Sequence, residues 1–453
     1  MPAHHVRDHC LAPTRQVDAP IYGGRYDRLL PGLRPLVTDV PLLHALGRSG
    51  GPCDGAPLAD AGGDDAREAA GWPLFGQFVA HDITADRSPV THHADPEAIR
   101  NFRTPRVNLE CVYGGGPVGS PYLYRRDDTA KLLLGRNDAG REEDLPRNSE
   151  GVALVGDPRN DVHLFVAQLH VALLKLHNLL VDRLREDGVA DAVLFEEARR
   201  AATWHYQWIV IHDFLPRLIG GEMAGELLRE GPQVFLAAER RGEPFIPFEF
   251  ADAAYRYGHS QIRHGYRIAR ESPPLPIFPD LVGFRPIPAD RTVEWTLLFD
   301  FEGHEPAQRA KKIDGRLPRS LIELPVAITG DVDGDLRSLA VRDLERGSGV
   351  SLPSGEAVAA EFDAEPLTSD ELGLPGDWRG ETPLWYYILR EAGARRDGDR
   401  LGPVGARIVG EVLVGLIERD PESFLANDRD WRPTLAGGDE RGFGLADLLA
   451  AST

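Results

Sequence analysis

The stretch Asp252-Ala-Ala-Tyr-Arg256-Tyr-Gly258-His259 is the part of the chain that best indicates its fold. If it is helical, Arg256 and His259 lie three residues apart on one face. A neutral imidazole is a common axial ligand of haem iron, and a neighbouring glycine lets a flat macrocycle approach the backbone. An arginine on the same face can pair with a carboxylate such as a haem propionate. The stretch therefore predicts the proximal side of a haem site.

A second histidine stands far upstream, in the segment Gln77…His81-Asp82. Gln77 and His81 are four residues apart and share a helical face, whereas Asp82 points about a quarter-turn away. Such a helix can present His81 to a pocket, across the iron from His259, and Asp82 to another partner, for example a cation. An ordinary buried histidine beside a solvated or capping aspartate fits the same local pattern.

A third segment, Gly156-Asp-Pro-Arg159-Asn-Asp161, precedes a long stretch with helical apolar periodicity. Asn160 or Asp161 is expected to cap that helix. Arg159 would then stand at the helix entrance, where it can reach into a cavity. A surface arginine in a turn is the ordinary interpretation of this segment taken alone.

The fourth segment, Leu339–Gly347, carries Asp343 and Arg346 three residues apart on one helical face. A carboxylate behind a metal-bound histidine makes that ligand more basic. A solvent-facing salt bridge between the two residues is the common alternative.

The composition argues against several classes of function. The 453 residues carry a net charge of −20, which disfavours nucleic acid as a partner because phosphate binding needs a clustered basic surface. The charge favours mild attraction of cationic small molecules instead. The three cysteines, Cys10, Cys53 and Cys111, form no CxxC pair, so neither a disulfide framework nor a zinc site is expected.

The N-terminus and the hydropathy bear on location. The first ten residues contain no apolar core of a signal peptide, so a cytoplasmic location is expected and secretion stays open. No apolar run reaches the roughly 18 residues that a membrane helix needs, and no membrane span is expected. The sequence does not determine the oligomeric state.

The hydrophobic pattern predicts a mainly α fold, with one large helical domain, long loops and few short strands. Residues 1–70 are interpreted as an N-terminal arm and linker, and residues 71–453 as the domain. A haem group would lie buried between helices. The expected helices span residues 73–82, 161–184, 198–219, 250–268, 336–345, 382–392 and 402–419.

Taken in chain order, these segments resemble the animal-type haem peroxidase superfamily. The motifs that carry the resemblance are Phe75-Gly-Gln77-Phe-Val-Ala80-His81-Asp82, Gly156-Asp-Pro-Arg159 with Leu169-His170 and Leu176-His177-Asn178, Arg256-Tyr-Gly-His259, Leu339–Gly347 with Leu352-Pro353-Ser354-Gly355, and Leu401-Gly-Pro-Val-Gly-Ala-Arg-Ile-Val409. They span roughly residues 70–420. Each motif alone is moderately specific, and their common order makes the resemblance strong.

The resemblance implies roles on the distal side of the haem. His81 would be the distal acid and base, Arg159 the distal arginine, and Gln77 would line the distal pocket. The implied activity is reduction of hydrogen peroxide coupled to oxidation of a small-molecule electron donor. A histidine can move the proton between the peroxide oxygens, and an arginine can stabilise the charge that develops as the O–O bond breaks.

The resemblance also implies roles on the proximal side. His259 would be the iron ligand, and Arg256 would pair with a haem propionate, as would Arg346. Asp343 replaces the asparagine that the family places behind the proximal histidine. A charged partner should push the imidazole toward imidazolate and lower the iron potential, so efficient chloride oxidation is not expected. Phenols, other organic donors or easily oxidised halides are expected instead.

Two departures from the family concern how haem is attached. Well-known mammalian members bind haem covalently through two carboxylates, and the matching residues here are Ala80 and Val162. The position of a sulfonium-forming methionine in one member is His163. We therefore expect haem b that is held without covalent bonds.

A calcium site is implied as well, formed by the aspartate after the distal histidine and a short loop. Asp82, Thr104, Asn108, Glu110 and the carbonyl of Arg106 supply oxygen donors of the type that hard cations bind. Asn108 replaces the usual aspartate and Glu110 the usual serine, so the charge is kept while the geometry differs.

Two other functions fit the same resemblance. A related haem-dependent fatty-acid dioxygenase needs a radical-forming tyrosine three residues before the proximal histidine, where this chain has Arg256. On an α-helix Tyr255 and Tyr257 would each point off the haem face by about 100°. A non-catalytic haem-binding scaffold would need no distal set of side chains, which this chain has.

Three other patterns carry less information. The segment 114–119 fits GxGxxG by its letters but lacks a strand–helix context, and the acidic segment 331–335 lacks the EF-hand spacing and is expected to be a turn. His163, His170 and His177 are seven residues apart, a separation of about 10 Å for each step along a helix. They are expected to be packing or capping residues.

Overall fold

The computed structural model describes residues 25–55, 64–85, 101, 103–239, 244–330, 334–376, 378–435 and 442–452. Within these ranges the chain is mainly α-helical with long connections, as the sequence predicts. Strands are few and short, and they pair into three two-stranded sheets. Cys10 and residues 331–333, on which two of the sequence interpretations depend, lie outside the described residues.

The longer helices are numbered here in chain order. They are α1 (Val40–Gly47), α2 (Gly71–Ile83), α3 (Leu164–Glu186), α4 (Asp191–Ile209), α5 (Gly221–Glu230), α6 (Leu339–Gly349), α7 (Leu384–Arg396) and α8 (Pro403–Glu418). The shorter α-helical segments are Glu110–Tyr113, Gly116–Gly119, Leu215–Ile219, Gln233–Ala238, Phe248–Ala251, Gly258–Gln261, Ile277–Asp280, Arg319–Ile322, Val326–Thr329, Gly355–Glu361, Ser369–Leu372, Phe424–Asn427 and Leu445–Ala451. The 3₁₀ segments are Pro121–Leu123, Pro158–Asp161, Ala254–Tyr257, Ala289–Arg291, Trp295–Leu297 and Gly334–Arg337, and Val210–Phe214 is a π turn.

The strands are β1 (Tyr26–Asp27), β2 (Asp65–Ala69), β3 (Ile246–Pro247), β4 (Gly265–Tyr266), β5 (Leu275–Pro276) and β6 (Arg309–Lys311). β1 pairs with β3 in parallel, and the β2–β6 and β4–β5 pairs are antiparallel. These short pairs join distant loops and build no extended sheet in the described ranges.

The helix α3 forms the centre of the core and packs against α2 and α4. By length and composition it is apolar enough to cross a membrane, but 83% of its most apolar window is buried inside the protein. A helix that is hydrophobic all round is expected when it is enclosed by protein. The apolar character of α3 therefore reflects its central place in the core.

The helix α2 positions His81 and is held by aromatic packing. Phe75 and Phe78 meet the ring of Tyr206 on α4 edge to face, with centroids 6.2 and 6.1 Å apart, a favourable geometry for aromatic pairs. At the start of α2, a Cβ on Gly71 would lie 2.3 Å from the ring of Phe299. A glycine is therefore needed there for the helix to dock.

Some predicted boundaries were wrong, for local reasons. Residues 250–268 do not form one helix, because Ala253 has φ −138° and ψ −78° and separates the short segments Phe248–Ala251 and Ala254–Tyr257. α3 begins at Leu164 and is capped by His163, not by Asn160 or Asp161, which belong to a preceding 3₁₀ turn.

The described part of the predicted N-terminal arm packs closely on the body. Ser338 Oγ donates a hydrogen bond of 2.6 Å to the carbonyl of Gly47, and α1 lies against α6. Cys53 is fully buried. The division into an arm of residues 1–70 and a domain of residues 71–453 stays a prediction.

Candidate active site

A cavity of about 910 Å³ lies between α2, the turn that carries Arg159, and the segment that carries His259. Its wall contains five of the residues for which the sequence predicts a catalytic or haem-binding role, which are Gln77, His81, Arg159, Arg256 and His259. The volume is at the upper end of the range of about 300–1,000 Å³ that is usual for ligand and cofactor sites. The fold therefore brings together segments that are up to 182 residues apart in the chain.

His81 is held in a chain of neutral hydrogen bonds. Its Nδ1 lies 2.9 Å from Oδ1 of Asn160, and Nδ2 of Asn160 lies 2.9 Å from Nδ1 of His170. An amide oxygen only accepts, so His81 donates from Nδ1 and its Nε2 is left as an acceptor. Burial, reinforced by the positive charge of Arg159, lowers the pKa of His81 to about 3. Burial also lowers the pKa of His170 to about 3. His81 is thus a neutral base with a defined tautomer.

Gln77 is held by a second histidine of α3. Nε2 of His163 donates to Oε1 of Gln77 at 2.7 Å, while Nδ1 of His163 accepts from the backbone N–H of Val166 at 3.4 Å. Burial lowers the pKa of His163 to about 4, which keeps this imidazole neutral. The capping role expected for His163 is confirmed, and its other nitrogen fixes the amide of Gln77 in the cavity wall.

Arg159 is fixed by a buried carboxylate and two carbonyls. It donates to Asp157 at 2.9 and 3.0 Å, and to the carbonyl oxygens of His81 and Thr84. Arg103 holds the other side of Asp157, with contacts of 2.6 and 3.0 Å. Burial alone would raise the pKa of Asp157, but the two guanidinium groups hold it well below its usual range.

Elsewhere in the cavity wall, His259 is backed by a buried carboxylate. Nδ1 of His259 lies 2.6 Å from Oδ2 of Asp343, which leaves Nε2 to face the cavity. Oδ1 of Asp343 accepts from Arg256 at 3.1 Å. Although burial would raise the pKa of Asp343, the charges of His259 and Arg256 hold it below its usual range. This arrangement fits an iron ligand whose basicity is increased by a carboxylate.

The two arginines predicted to meet haem propionates lie differently. Arg256 lines the cavity, and its guanidinium also reaches the carbonyl of Ala251 at 2.9 Å and Asp252 at 3.4 Å. Arg346 is outside the described cavity wall, with Nε 3.8 Å from Oδ1 of Asp252. The propionate contacts of both residues stay predictions.

The tyrosines beside Arg256 do not point away from the cavity, contrary to the expectation from an α-helix. Tyr255 and Tyr257 both line it, because Ala254–Tyr257 is a 3₁₀ turn in which the 100° step of an α-helix does not apply. The ring of Tyr255 stacks on Phe250 with centroids 4.5 Å apart. The hydroxyl of Tyr255 is buried and has no hydrogen-bond partner among the residues that the structure describes.

The residues expected to bind calcium lie near one another but are satisfied by protein donors. Asp82 accepts from the backbone N–H groups of Leu109 and Cys111 at 2.9 and 3.3 Å. Burial raises the pKa of Asp82 to about 6. The carboxylate therefore ties the end of α2 to the loop.

The loop itself is built around a guanidinium group. Glu110 accepts from Arg103 at 3.2 Å and from the backbone N–H of Thr104 at 3.1 Å, and Asn108 accepts from the N–H of Glu110. The side chain of Arg106 turns away to Asp420, at 3.5 Å. Among the described residues, no cluster of three or more His, Cys, Asp or Glu side chains could hold a metal. In this arrangement the loop does not fit a calcium ion, because Arg103 supplies the positive charge.

Sequence reasoning missed three residues that support the distal wall, which are Asn160, Asp157 and Arg103. Asn160 was interpreted only as a helix cap, and its partner His81 lies 79 positions upstream. Arg103 and Asp157 are 54 positions apart. The one feature of the sequence that could have indicated these supporting roles is that Asp157 and Asn160 lie close to Arg159 in the quoted motif.

The chain is a mainly helical protein in which two histidines line one cavity. Residues 122–280 match the family model of the animal haem peroxidases, a range that includes Arg159 and His259. The chain is related to the animal haem peroxidases, which confirms the resemblance carried by its motifs.

Curated relatives include several peroxidases. A peroxidase of Drosophila melanogaster is 32% identical over 175 residues, which cover 35% of this chain and 25% of the relative. The thyroid peroxidase of Homo sapiens is 27% identical over 227 residues, covering 44% of this chain and 24% of the relative. The chain thus matches about a quarter of the length of these relatives.

Solved structures extend the likeness over nearly the whole chain. Peroxidase A from Dictyostelium discoideum aligns with a TM-score of 0.64 and 15% identity, covering 94% of both chains. The fatty acid α-dioxygenase of Arabidopsis thaliana aligns with a TM-score of 0.58 and 16% identity, covering 93% of this chain and 74% of that one. At these identities the likeness establishes the fold alone.

Proposed function

We propose that this protein is a haem peroxidase that reduces hydrogen peroxide and oxidises a small organic donor. The observation that carries the proposal is the pair of histidines, His81 and His259, that line one cavity. His81 is a neutral base with Nε2 available, and His259 is backed by the buried Asp343. A scaffold that only stored haem would need neither the defined tautomer of His81 nor the fixed guanidinium of Arg159.

The cavity suits haem b that is held without covalent bonds. His259 would bind the iron, which supplies the redox chemistry and a site for peroxide. Ala80 and Val162, at the positions of the ester-forming carboxylates, line the cavity, and its described wall contains no Asp or Glu. An ester between this wall and haem therefore has no donor carboxylate.

The distal residues would handle protons and charge. Nε2 of His81 accepts the proton from one peroxide oxygen and returns it to the departing oxygen. Asn160 keeps the proton of His81 on Nδ1, so Nε2 stays the accepting atom. Arg159 stabilises negative charge on the departing oxygen. Its own position is set by Asp157, so little reorganisation is needed during the step.

The test uses purified protein titrated with hemin, and the measurements are the Soret band and the oxidation of a chromogenic phenol by peroxide. We expect His81→Ala to bind hemin normally and to lose about 10²- to 10⁴-fold of the rate. His177→Ala is the matched control, since His177 is a buried histidine of α3 outside the described cavity wall. The absence of a Soret band, or equal rates in wild type and His81→Ala, would refute the proposal.

A second candidate is haem-dependent fatty-acid dioxygenation, favoured by Tyr255. This tyrosine lines the cavity, and its buried hydroxyl has no hydrogen-bond partner in the described part of the chain. The measurement is oxygen uptake with a saturated fatty acid, together with a search for a tyrosyl radical by electron paramagnetic resonance. Uptake that Tyr255→Phe abolishes would favour this function over the first.

A further inference from the structure

The wall of the cavity differs in charge from the chain as a whole. The protein carries a net charge of −20, yet the described wall contains three arginines, Arg159, Arg256 and Arg285, and no Asp or Glu. A cleft lined by one sign of charge concentrates ligands of the opposite sign. The local wall therefore favours anions, whereas the net charge alone suggests cations.

Two of these three arginines have their charge neutralised by carboxylates outside the cavity wall. Arg159 pairs with Asp157, and Arg256 pairs with Asp343. Arg285 is exposed, and its hydrogen bonds run to the backbone carbonyls of residues 279 and 280. The nearby carboxylate of Asp280 lies 3.8 Å from Arg291. Within the described part of the chain, Arg285 is therefore the cation of the wall that has no carboxylate partner.

The cavity wall that contains Arg285 also has an exposed apolar rim. Phe284 is 65% exposed and Ile328 is 47% exposed, and both belong to the cavity wall. Phe284 has φ +56°, a left-handed conformation that a bulky residue rarely adopts. Backbone strain of this kind clusters at functional sites. The strained backbone displays an aromatic ring to solvent, next in the chain to an arginine that has no carboxylate partner among the described residues.

The rim is anchored to the distal side of the cavity. Residues 281–284 make three backbone hydrogen bonds of 2.7, 3.0 and 3.0 Å with residues 161–164, which follow Arg159 directly in the chain. A Cβ on Gly283 would lie 1.9 Å from the carbonyl oxygen of Asp161, so glycine is needed for this close approach. Phe284 and Arg285 therefore stand at a fixed place on the distal side.

We propose that this rim selects an organic donor that carries a carboxylate, with an aromatic phenol as its oxidisable part. Arg285 pairs with the carboxylate, and Phe284 and Ile328 pack against the ring. The proposal rests on the proposed peroxidase function and names the substrate class of the same cavity. In the reaction, two phenols each give one electron and one proton to one hydrogen peroxide, which becomes two waters.

The test compares three donors of one shape with the haem-loaded enzyme. They are 3-(4-hydroxyphenyl)propionate, its neutral amide, and the cationic tyramine. We expect the wild type to prefer the acid, and Arg285→Gln to raise the KM of the acid about fivefold, a size typical of an exposed ion pair. The KM of the amide should change less than twofold. Arg267→Gln removes an exposed arginine outside the described cavity wall and is the matched control.

Two further measurements separate the alternatives. Calorimetric binding of the acid, without peroxide, should weaken in Arg285→Gln and in Phe284→Ala, whereas hemin affinity should be the same as in wild type. A loss of hemin affinity in Arg285→Gln would overturn the proposal and assign Arg285 to haem. An equal effect of Arg285→Gln on iodide oxidation would also overturn it, because iodide carries no organic body.

The failures of the two proposals are distinguishable. If the amide is oxidised and the acid has no advantage, the donor proposal fails while the peroxidase function stands. If none of the three donors is oxidised, the peroxidase function fails for phenols. The calorimetric comparison of wild type with Arg285→Gln then decides the anion site independently.

Discussion

The two histidines that line the cavity, His81 and His259, are held by partners of different charge, one neutral and one ionised. On the distal side, His81 belongs to a chain of neutral groups that runs through Asn160 to His170. On the proximal side, His259 donates to the buried carboxylate of Asp343. A neutral partner leaves His81 a weak base with one free nitrogen, whereas a charged partner makes His259 an electron-rich ligand. The partner of Nδ1 thus suits one histidine to act as a base and the other to act as an iron ligand.

The largest effect on activity is expected from breaking the hydrogen bonds that run from His81 through Asn160 to His170. Asn160→Leu removes the acceptor that keeps the proton of His81 on Nδ1, so we expect the rate constant for the reaction with peroxide to fall about 10²-fold. The measurement is stopped-flow absorbance with haem-loaded protein. Asn178→Leu is the control, since the side chain of Asn178 is hydrogen-bonded to the backbone of Leu132 and lies outside the described cavity wall.

Asn160→Asp tests whether residue 160 controls His81, because it adds a negative charge to the distal side. A carboxylate next to His81 should raise the pKa of that imidazole above its present value of about 3. The reaction with peroxide should then decline on the acid side at a higher pH than in wild type. An unchanged pH profile would show that Asn160 does not control His81.

On the proximal side, Asp343→Asn should raise the ferric/ferrous potential. The neutral amide no longer increases the basicity of His259, and a tenfold change in the relative affinity for the two iron states corresponds to about 59 mV. Arg256→Gln should shift the potential the other way, because Arg256 shares the charge of Asp343. Spectroelectrochemistry measures both, and a shift of the same sign in both variants would contradict the arrangement.

A smaller effect concerns stability against acid. His81 and His170 have pKa values near 3 in the fold, against about 6.5 in an unfolded chain. The unfolded state therefore binds protons that the folded state cannot, and the free energy of unfolding should fall as the pH decreases from about 6.5 toward 3. Each such histidine contributes about 1.4 kcal/mol per pH unit.

Urea unfolding at pH 7, 6 and 5 measures this slope on the haem-free protein. His170→Asn should flatten it by close to one proton, since the substituted residue does not titrate. His264→Asn, at the surface, is the control. An identical slope in wild type and His170→Asn would contradict the conclusion that His170 stays neutral in the folded protein.

The smallest effect is expected from removing calcium. Since Arg103 supplies the positive charge beside Glu110 and Asp157, EDTA should leave the thermal midpoint unchanged, whereas Arg103→Gln should lower it. Removing the guanidinium group takes one of two arginine partners from the buried Asp157 and the arginine partner from the partly buried Glu110, which is costly. A fall in the midpoint with EDTA, together with about one calcium per chain by elemental analysis, would restore the calcium site.

Much of the arrangement was predictable because the quoted motifs carry the side chains with charge or titratable groups. Gln77, His81, Arg159 and His259 meet in one cavity, with Asp343 behind it, as the resemblance implies. Their catalytic and haem-binding roles stay predictions. The mainly α fold was predictable too, since long helices such as α3 and α8 have strong periodicity.

What could not be predicted depends on short segments and long-range pairs. The helix expected over residues 250–268 is broken at Ala253, and this break turns Tyr255 into the cavity. Asn160 and Arg103 gain their importance from partners far along the chain, which no local pattern reveals. The anionic preference of the cavity was missed because net charge averages over a surface that the donor does not meet.

The helix α3 connects to both distal side chains through histidines seven residues apart. His163 holds Gln77, and His170 holds His81 through Asn160. The distance between Gln77 and His81 is thus supported by two turns at the start of the buried helix α3, and not only by flexible connections. The donor-facing rim at residues 284 and 285 can therefore vary from one enzyme to another, or be redesigned for a new donor, while the distance between amide and base stays constant.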